Sequence, residues 1–171
     1  MAARSILVYG DPTLRGKSKP VKEIDKSIKN LVADMIATLK RAGGLGLAAA
    51  QVGVSARIFV VDLSAIELTE SVRVFINPVI IEKSGETLME EGCLSFPGIY
   101  QKIVRPEKIR VKATDLDGKD FELAASEMLA RAILHEYDHL DGILFIDYLS
   151  SLSRTMIKGK LNKLKKLAAA S

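Results

Sequence analysis

Residues 126–142 read SEMLARAILHEYDHLDG. Ser126 is a residue type that caps helix N-termini and Gly142 one that ends helices, so the stretch predicts a helix from Glu127 to about Asp141. Within it, His135-Glu136-Tyr137-Asp138-His139 has the form HExxH. Residues four apart share a helix face, so both imidazoles can turn toward one ion. Glu136 lies one step round, able to reach a water on that ion without ligating it. An ion so held lowers the pKa of the water, and the carboxylate takes the proton and passes it on, which is the arrangement for metal-assisted hydrolysis. Two unrelated histidines on a solvated helix would give the same five letters, and a bare match has limited specificity. Two facts weaken that blander reading. These are the chain's only two histidines, and Met128 and Ala132 on the same face make it pocket-like rather than charged.

An open catalytic site takes three protein ligands and leaves a position for water. No histidine follows His139, and the only carboxylates downstream are Asp141 and Asp147. Asp141, two residues on, points off the opposite side of the helix, and Asp147 can ligate only if the chain folds back. The single cysteine, Cys93, is the better candidate, set in a glycine-bearing loop between Glu91-Gly92 and Leu94-Ser95. A thiolate beside two imidazoles suits a divalent ion. Cys93, His135 and His139 plus water make a four-ligand, open set. A lone cysteine on its own is more often a small buried apolar residue. It also excludes an intramolecular disulfide and suits a reducing compartment, which points to the cytoplasm.

Away from this helix, residues 25–42 place Ile28, Leu31, Val32, Met35, Ile36 and Leu39 at helical spacing, and Gly43-Gly44 end the run. Gly44 to Gln51 is a small-residue stretch that lets backbone approach closely. Arg57 to Leu63 reads as a buried strand, and Arg73 to Ile81 as another in which Pro78 forces an edge or a bulge. Thr87 to Glu90 reads as a short strand and Glu91 to Gly98 as a loop. Lys108 to Thr114 alternates as a half-buried strand, turning through Asp115-Leu116-Asp117-Gly118 into a returning strand at Lys119 to Leu123. A last amphipathic helix is expected over residues 151–169, with Ile157, Leu161, Leu164 and Leu167 on one face. Helix, antiparallel strands and two further helices predict an α+β fold: antiparallel strands around a central HExxH-bearing helix, with an N-terminal and a C-terminal helix.

A chain of 171 residues, 48% hydrophobic, suits a single domain (1–171) with one core. The start carries no secretory pattern and no run is long enough to span a bilayer, so no membrane is expected. The net charge of +4 is unevenly placed: all 21 acidic residues lie at or before Asp147, and six basic residues lie after it. The body is slightly acidic and the 151–169 helix is basic.

Three segments together resemble the peptide deformylase family: Gly44 to Gln51, Glu91-Gly92-Cys93-Leu94-Ser95, and His135 to His139, in that order. Tyr9 to Arg15 is also similar to the family's opening stretch, and the resemblance spans residues 6–150. It implies removal of the formyl group from formyl-methionine at the N-termini of nascent polypeptides. It implies Cys93, His135 and His139 as ligands of one divalent ion, Fe²⁺ by resemblance, although Zn²⁺, Ni²⁺ or Co²⁺ suit the same donors. Glu136 becomes the general base and acid, while Gln51 and the backbone N–H of Leu94 form an oxyanion hole. Gly44 and Gly46 leave room for an extended substrate backbone, and Met89, Leu94, Met128 and Ala132 line a slot for the methionine side chain, fringed by Arg131 on the outward side of the helix. Ala50 stands where the family usually has proline, which loosens the turn before Gln51. Glu91, if buried, needs a cation, for which Arg105 is the candidate. Acting on nascent chains gives the basic tail a further expectation, docking on ribosomal RNA, against the blander one of solvated lysines on a packed helix; a monomer is expected. Two other classes compete: another HExxH hydrolase such as a small peptidase, which lacks a third ligand other than Cys93, and a structural zinc protein, which would want four protein ligands.

Overall fold

A computed structural model describes all of residues 1–171. Helix α1 (Lys26–Ala42) starts on Asp25, whose side chain accepts from the Ile28 N–H, and ends on Gly43 at φ 72°. Strands β1 (Gly46–Ala48), β2 (Ile58–Val61), β3 (Arg73–Ser84), β6 (Lys108–Thr114) and β7 (Asp120–Ser126) form one antiparallel sheet in the order β1-β2-β3-β6-β7. Between β3 and β6 in sequence, β4 (Thr87–Gly92) and β5 (Tyr100–Arg105) make a separate two-stranded hairpin. Helix α2 (Glu127–Leu140) carries HExxH, and α3 (Ser151–Met156) and α4 (Lys158–Ala169) close the chain.

Strand β2 explains the layering. Its residues are all buried because Ile58 and Val60 pack toward α1 with Leu31, Val32 and Met35, while Phe59 and Val61 pack toward α2 with Ile133 and Leu134. An unbroken apolar run is what a strand covered on both faces requires. Helix α2 has the main sheet on one side and hydrogen-bonds the β4–β5 hairpin on the other, through Arg131 and Asp138. A further apolar cluster joins β5 and the Cys93–Ile99 segment to α4 and the N-terminal stretch, with Phe96, Ile99 and Ile103 against Phe145, Ile157 and Leu161.

The bulge expected at Pro78 is present: the β3–β6 register shifts between Ile76 and Val79. Asn77 takes φ 50° there, a region asparagine tolerates, and its amide ties Val21 at both N–H and C=O, each 2.8 Å away. Other expectations are corrected. Glu91 and Gly92 belong to β4 rather than to a loop, and β5, a strand that the sequence pattern does not mark, carries a charged residue, Arg105, at an inward position. Ser126 makes no side-chain cap, because Glu127 enters α2 at φ 55°, off the ordinary helical path. The tail is two helices, not one: α3 buries none of its side chains, and the break at Ile157 turns that residue inward. Ile157, Leu161 and Leu164 are buried as expected, whereas Leu167 is 52% exposed.

Glu127 is exposed and in a left-handed conformation that costs a residue with a Cβ about 1–2 kcal/mol. Loss of a favourable acid at a helix start, about 0.3–1 kcal/mol, and the greater flexibility of unfolded glycine, about 0.4–1 kcal/mol, roughly offset the relief of that strain, so Glu127→Gly is expected to be near neutral. Urea denaturation reads the difference, and a loss of about 1 kcal/mol or more, the cost of glycine at an unstrained helical position, contradicts the strain.

Candidate metal centre

The metal donors predicted from sequence converge. The ligand atoms of Cys93, His135 and His139 all lie within 4.8 Å of one another, and Cys93 Sγ is 3.4 Å from His139 Nε2. Two elements bring them together: Cys93 follows directly on β4, and the histidines sit one turn apart on α2. Both imidazoles are buried. His135 Nδ1 is 2.9 Å from Glu91 Oε1, which orients the ring and leaves Nε2 for the shared centre.

Glu91 is a buried hub. Its carboxylate accepts from Arg105 at 2.6 and 3.0 Å and from Arg131 at 2.5 Å, besides facing His135. Arg105 also donates to Asp138 at 2.9 Å, and Asp138 accepts from the Tyr148 hydroxyl at 2.7 Å. The Glu91–Arg105 pair read from sequence is therefore real, and larger than expected. Burial pushes the Glu91 carboxyl up, but the hydrogen bonds from His135 and Arg105 and the Arg105 charge outweigh it and hold it at about 2. Burial alone would also lower His135, yet the charge of Cys93, its hydrogen bond and Glu91 raise it well above the usual histidine range. Soft sulfur beside two converging imidazoles fits a divalent cation.

Glu136 is 4% exposed, and its Oε2 has no hydrogen-bond partner. Burial, the largest influence on it, pushes its carboxyl up to about 7. Gly46 makes this position possible, because a Cβ there would stand 2.7 Å from both Cγ and Oε1 of Glu136. Gly44 is similarly pressed by Leu94, whose Cδ1 would lie 2.8 Å from an added Cβ. Gln51 is buried beside Cys93: its Oε1 accepts from the Ala48 N–H at 2.9 Å, and its Nε2 donates to Ser95 Oγ at 3.1 Å and lies 3.6 Å from Cys93 Sγ. The Leu94 N–H enters no hydrogen bond.

A cavity of about 410 Å³ opens onto this centre, lined by Gly44, Gly46, Leu94, Met128 and Ala132 among others, and reached by Cys93, His135 and Glu136. Met89 does not line it. Thr87, Met89 and Glu91 share one face of β4, and Arg131 bonds both Thr87 and Glu91, so the guanidinium rather than the methionine meets the cavity. Arg131 is likewise not on an outward face; it is 3% exposed. An arginine within the apolar run Met128 to Leu134 was the available signal, since on a buried face it requires a buried carboxylate. Glu90, Phe96 and Tyr100 also line the cavity, and nothing in their sequence pattern marked them. Asp141 and Asp147 are far from ligand duty: they pair with Arg57 at 2.9 Å and Arg15 at 2.6 Å.

A family profile described as Polypeptide deformylase matches residues 3–155. The chain belongs to the peptide deformylase family. It is 49% identical to the peptide deformylase of Chromobacterium violaceum over 166 residues, covering 97% of this chain and 98% of that one. It is 51% identical to peptide deformylase 1 of Pseudomonas syringae pv. tomato over 170 residues, covering 99% and 100%. The crystal structure of a peptide deformylase from Legionella pneumophila matches with a TM-score of 0.90 at 45% identity, covering 99% of each chain. That from Thermus thermophilus matches with a TM-score of 0.90 at 40% identity, covering 97% of this chain and 99% of that one. This deformylase is thus a metal-dependent hydrolase that removes the N-terminal formyl group of formyl-methionyl chains, and the alternative of a small HExxH peptidase is not favoured. No helix is long and apolar enough to cross a membrane.

Replacing Glu91 by glutamine leaves Arg131 without a buried counter-charge and Arg105 with Asp138 alone. Removing one partner of a buried ion pair costs about 3–5 kcal/mol. Glu91→Gln is expected to lose that much in urea denaturation, and a loss under about 1 kcal/mol, the scale of a surface pair, contradicts the hub's role.

Proposed function

We propose that deformylation runs on Cys93, His135 and His139 as the ligands of one ion, with Glu136 as general base and acid and Gln51 and the Leu94 N–H as oxyanion donors. The observation that carries this reading is Glu136 Oε2, a buried carboxylate oxygen without a partner beside three convergent metal donors. When bound, the ion acts as a Lewis acid and lowers the pKa of a water. Glu136 takes the proton of the attacking water and delivers it to the amine nitrogen as the C–N bond of the formamide breaks, releasing formate and the free N-terminus. Gln51 Nε2 and the Leu94 N–H donate to the oxygen that gains negative charge on the formyl carbon. Met128, Ala132 and Leu94 supply the apolar wall for the methionine side chain, and Gly44 and Gly46 give its backbone access.

The physiological ion is Fe²⁺ on this reading, with Zn²⁺, Ni²⁺ and Co²⁺ compatible with the same donors. All the proposed site residues come from one chain, which supports a working monomer folded as a single unit over 1–171. New formylated chains and a thiolate ligand that must stay reduced both favour the cytoplasm. The basic tail docks on ribosomal RNA. Lys160, Lys163 and Lys166 are exposed on α4, and no acidic residue follows Asp147.

Incubating the metal-loaded protein with a formyl-methionyl dipeptide is expected to release formate and free amine in equal amounts. Peptide-bond cleavage without formate would sink the assignment. Glu136→Ala should still bind one ion and lose turnover, and Gln51→Leu should lose about 10²–10³-fold in kcat; retained turnover in the first contradicts the proton-transfer role.

Ile157, Leu161 and Leu164 are core, so the test of docking changes only the exposed lysines. Changing Lys160, Lys163 and Lys166 together to glutamate keeps the fold and reverses the charge. Ribosome co-sedimentation at low salt is expected to fall at least tenfold; unchanged binding removes the idea.

A further inference from the structure

The strand that delivers Cys93 is not part of the main sheet. β4 pairs only with β5, and neither strand pairs with the five-stranded sheet. The histidines stand on α2, which packs on that sheet. The gap between Cys93 Sγ and the two imidazoles is therefore a gap between two pieces of structure, fixed by whatever joins them.

On the polar side the joint has three parts: Arg105 of β5 reaches Asp138, Glu91 of β4 faces His135, and Arg131, one turn before His135, makes the most contacts of the three. Arg131 Nη1 donates to Glu91 Oε2 at 2.5 Å and to the Ile103 carbonyl at 3.0 Å. Its Nη2 donates to the Thr87 carbonyl at 2.9 Å and to Thr87 Oγ1 at 3.0 Å. Those points lie at both ends of β4 and on β5, and Glu91 is two residues before Cys93. A planar guanidinium holds several acceptors in fixed directions, which a single ammonium cannot do. Charge balance alone does not call for this arrangement, because Glu91 already has a bidentate partner in Arg105.

We infer that Arg131 is a positioning residue for the ion: by clasping both strands of the hairpin to α2 it holds Cys93 at its distance from His135 and His139, and so sets how slowly the ion leaves. This rests on the reading of those three residues as ligands. Arg131 makes no hydrogen bond to Cys93, His135 or His139 themselves. It acts through the hairpin.

The test is the rate at which the full-length protein, loaded with Co²⁺, gives up its ion to a chromogenic chelator. The visible spectrum of the bound Co²⁺ serves as a second readout. Arg131→Lys keeps the charge beside Glu91 and drops the ties to Thr87 and Ile103. It is expected to release Co²⁺ about 10–100-fold faster, the usual effect of a group that orients a metal ligand, and to shift the Co²⁺ absorption bands. Thr87→Val removes one hydroxyl contact and leaves every buried charge in place, so roughly threefold faster release is expected. The double variant should release no faster than Arg131→Lys, because both changes break the same clasp. Release from Arg131→Lys at the wild-type rate with an unchanged spectrum overturns the inference, as do effects that simply multiply. If Arg131→Lys does not fold, Thr87→Val decides alone, and wild-type release from it is likewise fatal. Failure of the ligand reading is separable: there the wild-type protein itself binds no stoichiometric Co²⁺, or Cys93→Ala binds it unchanged.

Discussion

The Glu91 carboxylate accepts hydrogen bonds from Arg105 and Arg131 and faces the Nδ1 of His135, all within 3.0 Å and all buried. An isolated carboxylate could not be carried into such a place, since a buried charge is tolerated only when paired and hydrogen-bonded. Here the pairing partners come from three elements: β4 supplies the acid, β5 one arginine, and α2 the other arginine and the histidine. Folding the charge inward and assembling the centre are therefore one event. Arg105 continues the set outward to Asp138 and Tyr148, so positive and negative groups alternate from the imidazole toward the surface.

This arrangement gives α2 two unlike sides. Toward the main sheet it is ordinary core, Ala130, Ile133 and Leu134 against Phe59 and Phe75. Toward the hairpin it is polar, and its hydrogen bonds are directional where apolar packing is not. Apolar contact tolerates a small slide of one surface on another. A guanidinium shared among four acceptors does not. The proposed metal centre, one sulfur and two imidazoles, thus sits where the directional contacts are, and the two glycines at 44 and 46 leave room for Leu94 and Glu136.

Much of this was legible in the sequence, for identifiable reasons. Helical spacing and the Gly43-Gly44 stop mark α1, and Gly43 ends it as expected, while Asp25, at the start of the expected run, caps the helix from just outside it. HExxH needs only the four-residue repeat of a helix to bring its histidines together, and Cys93 was the one soft donor left to complete the set. What the sequence concealed depends on distant partners. β5 reads poorly because Arg105 occupies an inward position that only Glu91 and Asp138 make acceptable. Arg131 looks like a solvent residue until the same carboxylate is known to face it. Met89 has the right chemistry for a slot, but the cavity is lined by Arg131 and not by Met89. The break in the tail at Ile157 reflects docking against Phe96 and Phe145, which the helical spacing of its apolar residues does not encode.

The position of Gln51 shows how a local departure is absorbed by tertiary contacts. Alanine at 50, where proline is usual, frees one backbone torsion and should loosen the turn that presents the amide. The turn is a 3₁₀ segment, Ala49–Val52, stopped by Gly53 at φ 83°, and Ala49 and Ala50 in it are fully buried or nearly so. The amide is then tied at both ends, its oxygen to the Ala48 N–H and its nitrogen to Ser95 Oγ, next door to Cys93. The Leu7 N–H donates to the Gln51 carbonyl at 2.8 Å, fixing the backbone from a third direction. Freedom gained in the unfolded chain at Ala50 raises the entropy of ordering the turn; it does not leave the folded amide loose. The substitution therefore bears on stability, by about 0.5–1 kcal/mol, rather than on the aim of the Gln51 side chain.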